Sequence, residues 1–69
     1  MNYFARSLRE LMEERNLTQL QLAIAIKIRQ SLVSNWLSGK SLPCYESLKK
    51  LCNFLNVSAD ALLDTSYDD

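Results

Sequence analysis

Residues 18–40 read TQLQLAIAIKIRQSLVSNWLSGK. The stretch contains no acid, although the whole chain carries eight acidic and eight basic residues. Its opening is a helix start. Thr18 stands at the cap with Gln21 three residues on, the spacing of a reciprocal capping box. Leu17 before the cap and Leu22 at the fourth helical position suit a hydrophobic staple. Leu22, Ala23 and Ile26 then form the inward stripe of a short helix. Lys27-Ile28-Arg29 interrupts the pattern, and a second helix follows from Gln30 to Ser38. Ile28 and Val33 again stand at staple spacing. Arg29 between them is a poor cap, because its side chain cannot accept hydrogen bonds from the free N–H groups. Gly39 supplies the left-handed residue that ends this helix.

Helical spacing extends outward on both sides. Before the stretch, Phe4, Leu8, Leu11 and Met12 recur at the three-and-four spacing of one helix face, with Asn2 as a cap and Asn16 as the left-handed stop. After it, Pro43 redirects the chain into a helix over Tyr45–Leu55, with Leu48, Leu51, Cys52 and Leu55 inward. Asn56-Val57-Ser58 repeats the logic of Asn16-Leu17-Thr18: a left-handed stop, a staple residue, a hydroxyl cap. A fifth helix, over 59–64, presents Leu62 and Leu63. Residues 65–69 form a polar, acidic tail expected to fray. The pattern predicts an all-α domain of five short helices over 1–64, and no segment alternates like a strand.

The chain has 69 residues, 48% apolar and 23% charged, the composition of one small globular domain. Such a domain buries only about 60% of its unfolded surface, so its stability is marginal. No apolar run is long enough to span a bilayer, and no signal-peptide pattern opens the chain, so a cytoplasmic location is expected. On one helix Cys44 and Cys52 would lie about 12 Å apart along the axis, too far for a disulfide. The sequence has no His, so two thiols alone make a poor metal site. Cys44 reads as a helix-start residue and Cys52 as a buried thiol. An enzyme is improbable, for the chain offers no Cys–His pair and no glycine-rich phosphate loop. No cofactor, membrane or small-molecule partner is implied.

Charge is distributed unevenly. Residues 16–43 carry Lys27, Arg29 and Lys40 against no acid, whereas residues 44–69 carry an excess of three acids. The middle third is the electropositive part of the chain. A short connection between two helices, entered from a small Ala23, is the geometry of a helix-turn-helix.

On these residues the chain resembles the Cro/C1-type (XRE-like) helix-turn-helix proteins of bacteria and phages. The likeness is carried by Leu17-Thr18-Gln19, Leu22-Ala23, Ile28, Ser31, Val33-Ser34, Trp36, Gly39-Lys40 and Pro43. It continues through Leu48, Leu51, Leu55-Asn56-Val57-Ser58 and Leu62. The resemblance implies a five-helix, lambda-repressor-like fold that binds double-stranded DNA, usually as a two-fold dimer. It places the third helix in the major groove. With Val33 and Trp36 inward, Gln30, Ser31, Leu32 and Asn35 become the base-reading set: the two amides suit adenine, and Leu32 suits a thymine methyl. Gln19, Lys27, Arg29, Ser34, Ser38 and Lys40 become the phosphate-contacting set.

The sequence departs from the family pattern at four places. Lys27 stands where the turn often has Gly, and Arg29 replaces a Ser cap. Met12 and Leu37 replace an Arg and a Glu that commonly pair, so the two apolar side chains are expected to be buried and in contact. Leu20 and Ile24 occupy positions that are usually polar. The expected function is a transcriptional regulator, a repressor that occupies an operator. The alternative is a protein-interaction module on the same scaffold, motivated by Leu20, Ile24 and Leu32. A weak homodimer is expected around the fifth helix, through Val57, Ala61 and Tyr67.

Overall fold

The computed structural model describes residues 3–63. They form five helices: α1 (Tyr3–Glu14), α2 (Gln19–Ile26), α3 (Gln30–Ser38), α4 (Tyr45–Leu55) and α5 (Ala59–Leu63). Among the described residues there is no strand. Asn2, Asp64 and the tail with Tyr67 lie outside them, so the Asn2 cap and the Tyr67 contact are not part of the description.

One core holds the helices together. Phe4, Leu8 and Met12 come from α1, Leu22, Ala23 and Ile26 from α2, and Val33, Trp36 and Leu37 from α3; Leu51, Leu55 and Leu62 complete it. Each such large side chain, fully buried, stabilises the fold by about 1.5–3 kcal/mol before ordering costs. Trp36 is a core residue, with Phe4 meeting it edge to face at 6.1 Å between ring centroids. That is the geometry the aromatic quadrupole prefers. Leu11, Leu48 and Cys52 are half-buried against this cluster. The α5 stripe differs from expectation on one side: Leu62 is fully buried, but Leu63 is exposed. A helix of five residues has only one inward position here, and Leu62 takes it.

Four helices stop in the same way. Asn16, Lys27, Gly39 and Asn56 all adopt positive φ, between 55° and 82°. Behind three of them the next residue, Leu17, Ile28 or Val57, packs against the core. Its N–H reaches back to a carbonyl five residues earlier: Leu17 to Met12 at 2.8 Å, Ile28 to Ala23 at 2.9 Å, Val57 to Cys52 at 3.1 Å. This six-to-one bond is the mark of the Schellman motif, and it satisfies a helix-end carbonyl that would otherwise be orphaned. Lys40 to Asn35, at 2.9 Å, closes α3 alike, without the apolar plug.

Both cysteines are free. Cys44 is the exposed N-cap of α4, and its hydrogen bond with Ser47 lowers the thiol pKa. Partial burial raises that of Cys52.

Two arginines of the first helix and its end tie the bundle crosswise. Arg9 Nη2 donates to the Leu37 carbonyl at 3.1 Å, and Arg15 Nη1 donates to the Leu55 carbonyl. Each meets the last turn of a helix, where carbonyls lack intrahelical partners and the dipole favours a cation. Met12 and Leu37 are both buried in the one core cluster, at 6% and 7% exposure. Leu37→Glu is therefore expected to destabilise the domain by about 3 kcal/mol, because it buries an unpaired charge. Adding Met12→Arg should recover part of the loss in a urea denaturation series. Strictly additive damage would show that the positions are not coupled.

Candidate nucleic-acid interface

The interface is built on α2, the turn after it and α3. The Thr18 capping box forms as the spacing predicts: Gln21 N–H donates to Thr18 Oγ1 at 3.1 Å, and Thr18 N–H donates to Gln21 Oε1 at 2.9 Å. This fixes the start of α2, where Gln19 sits half-buried as the first helical residue. Thr18→Ala is expected to cost about 1 kcal/mol in thermal or urea unfolding, as N-cap losses do.

The turn holds α3 against α2. Lys27 is left-handed at φ 61° and ψ 50°, and its N–H bonds back to Ala23 and Ile24 carbonyls. Ile28 plugs the core, and Arg29 is extended. No side chain caps α3, as the identity of Arg29 foretells. Leu32 N–H turns back to the Arg29 carbonyl at 3.1 Å, and the N–H groups of Gln30 and Ser31 have no side-chain cap at the positive end of the helix dipole, an arrangement that favours an anion.

Along α3 the division of faces is clear. Val33, Trp36 and Leu37 are buried. Gln30, Ser31 and Ser34 are exposed, while Asn35 and Leu32 are half-buried. Leu32 rests part of its side chain on the core, which leaves only the remainder free for another surface. Ser38 is exposed but donates its hydroxyl to the Asn35 carbonyl at 3.1 Å. Lys40 is exposed just past the C-cap Gly39. Lys27 and Arg29 thus precede the polar face, Lys40 follows it, and neither helix carries an acid. Nine residues span about 13 Å, so cations bracket a short row of amides and hydroxyls.

The structure places these residues along one segment, from the start of α2 to Lys40, whereas the contacts of Arg9 and Arg15 were not foreseen from the sequence. Their carbonyl partners lie 28 and 40 residues away. No local pattern signals such a contact, since both arginines also read as members of a solvated helix surface balanced by Glu10, Glu13 and Glu14.

The helix-turn-helix domain family matches residues 5–67 of the chain. The chain belongs to the XRE-like helix-turn-helix family. It is 42% identical over 60 residues to the HTH-type transcriptional activator BcrR of Enterococcus faecalis, covering 87% of this chain and 29% of that protein. A crystal structure of a transcriptional regulator from Listeria innocua superposes with a TM-score of 0.82 at 30% identity. That match covers 88% of this chain and 57% of the other. The chain thus spans under a third of the curated relative and somewhat over half of the solved one. The family is one of DNA-binding transcriptional regulators and not of enzymes.

Lys27 departs from the residue that a left-handed turn prefers. A Cβ in this region costs roughly 1–2 kcal/mol, which glycine avoids at some expense in unfolded-state entropy. Lys27→Gly is expected to stabilise the domain by about 0.5–1 kcal/mol in urea unfolding. Lys27→Ala serves as the control that removes the charge and keeps the Cβ; it should leave stability near that of the parent. Equal stability of all three would contradict strain at the turn.

Proposed function

We infer that the domain binds double-stranded DNA sequence-specifically, with α3 in the major groove, and thereby regulates transcription. The observation that carries this reading is the polar outer face of α3, bracketed by Lys27, Arg29 and Lys40 and free of acids, on the scaffold of this family. Gln30 and Asn35 read adenine edges through their amides, with Ser31 and the free part of Leu32 beside them. Gln19, Lys27, Arg29, Ser34, Ser38 and Lys40 hold phosphates, aided by the uncapped N–H groups of α3. The domain works as a weak two-fold homodimer. Val57 and Ala61 contribute to the contact from the α4–α5 turn and α5, with Tyr67 of the following segment. The cytoplasm is its place of action.

The simplest mechanism is steric: a dimer occupying an operator that overlaps a promoter represses it. Activation is the second reading, favoured by the relative that bears the name of an activator. Transcription from a promoter carrying the selected site, with and without the protein, separates the two by its sign. A protein-interaction role without DNA rests on the exposed Leu20 and Ile24, 52% and 67% accessible.

Selection of duplexes from a random pool, followed by footprinting of the winner, tests the reading. Paired half-sites about one helical turn apart are expected. On that site Gln30→Ala or Asn35→Ala should cost roughly 1–3 kcal/mol and relax base preference. Lys40→Ala should weaken binding to all sequences alike and reduce the salt slope by about one. Unchanged affinity for both amide variants would sink the reading face, and monomers by sedimentation both free and on DNA would sink the dimer.

A further inference from the structure

Six of the eight residues of α2, QLQLAIAI, are apolar; Leu22, Ala23 and Ile26 are buried, while Leu20, Ile24 and Ala25 are exposed along with the polar Gln21. The helix thus leaves two large apolar side chains, Leu20 and Ile24, in solvent. Where the exposed side meets α4 there is an open cleft of about 370 Å³, lined by Ala25, Ile26, Lys27, Lys50, Asn53 and Phe54. This lies at the lower end of ligand-site volumes, about 300–1,000 Å³.

The lining has a definite chemistry. Its apolar lining is Ala25, Ile26 and Phe54, which is 43% exposed. Two lysines share the lining, Lys27 from the end of α2 and Lys50 from α4, and no acid belongs to it. Among the described residues neither lysine makes a salt bridge, although Glu46 stands one turn before Lys50 on α4. Asn53 adds an amide that can donate and accept. Apolar lining and paired cations together complement a ligand with an apolar side chain between carboxylates. The cleft is open rather than enclosed, which suits an extended chain passing through it better than a small molecule that must be surrounded. α4 carries none of the residues assigned to DNA.

We propose that the α2–α4 cleft is a docking site for an acidic peptide segment of a partner protein, which seats one aromatic side chain on Phe54 and Ala25 and sets its carboxylates against Lys27 and Lys50. The proposal does not rest on the DNA reading, although the two share Lys27: peptide and phosphate would compete for that one cation, while Lys50, Asn53 and Phe54 belong to the cleft alone.

The test uses the full chain and a capped peptide of four aspartates around one phenylalanine, followed by amide NMR without DNA. Saturable shifts at Ala25, Lys27, Lys50, Asn53 and Phe54 are expected. The counterpart peptide with asparagines should bind far more weakly, and added salt should weaken the aspartate peptide, as for exposed charges. Lys50→Gln should lower its affinity about threefold, the scale of one exposed ion pair, while leaving affinity for the selected DNA site unchanged. Phe54→Ser should abolish the shifts while circular dichroism shows the helices intact. Absent shifts, shifts confined to other surfaces, or equal binding of the asparagine peptide would overturn the proposal. So would shifts at the same residues on raising protein concentration alone, which would make a second copy the occupant.

Discussion

The fold depends on one repeated backbone constraint, the left-handed residue that ends a helix. Its carbonyl-satisfying bonds reverse the chain within a few residues and so allow five helices to share a small core. In three of the four cases the residue after it is apolar and reaches the core. The reversal is thereby locked by burial as well as by hydrogen bonds. Asn tolerates this conformation better than most residues with a Cβ, and Gly pays no steric penalty. Lys27 has neither advantage, and it sits in the turn that fixes α3 relative to α2. Packing therefore holds this lysine in a conformation that its own backbone disfavours.

Because hydrogen bonds and buried side chains close the turns, polar residues can be committed to a surface without weakening the core. The outer face of α3 carries hydroxyls and amides, and the inner face carries Val33, Trp36 and Leu37. A short helix with no side chain capping its start is held by those three side chains and by the Gly39 closure at its other end. The open N–H groups at its start then remain available to an anion. The same economy of polar groups explains the electrostatics. The chain is neutral overall, yet its cations near α3 face no local acid, so the field there is set by position and not by net charge.

Much of this was legible in sequence because it is local. The Thr18 box, the left-handed Asn16, Gly39 and Asn56, and the bounds of α2, α3 and α4 all follow from residues within five positions of one another; the left-handed Lys27 does not, since a lysine does not announce that conformation. The exposed Leu20 and Ile24 also followed, since they fall outside the Leu22–Ile26 stripe. The half-burial of Leu32 was not legible, because residues at its helical angle can rest on a neighbour or face water depending on how the helices cross. Leu63 was misread for a related reason: one turn of helix gives too few residues to define a stripe. The clasps of Arg9 and Arg15 depend on the meeting of distant helix ends, which no spacing encodes.

Those clasps have a consequence for how the domain opens. Arg9 lies mid-way along α1, and Arg15 just past its end, and between them they hold a carbonyl in the last turn of α3 and the last carbonyl of α4. Detaching α1 releases both of these ends at once, together with the packing of Phe4 on Trp36. Partial unfolding from the N-terminal side is thus coupled across the molecule. Helix α3 should share its hydrogen-exchange protection with α1, the two behaving as one cooperative unit rather than as neighbours that fray separately. The hold on α3 is in this sense shared with α1, to which Arg9 ties its last turn.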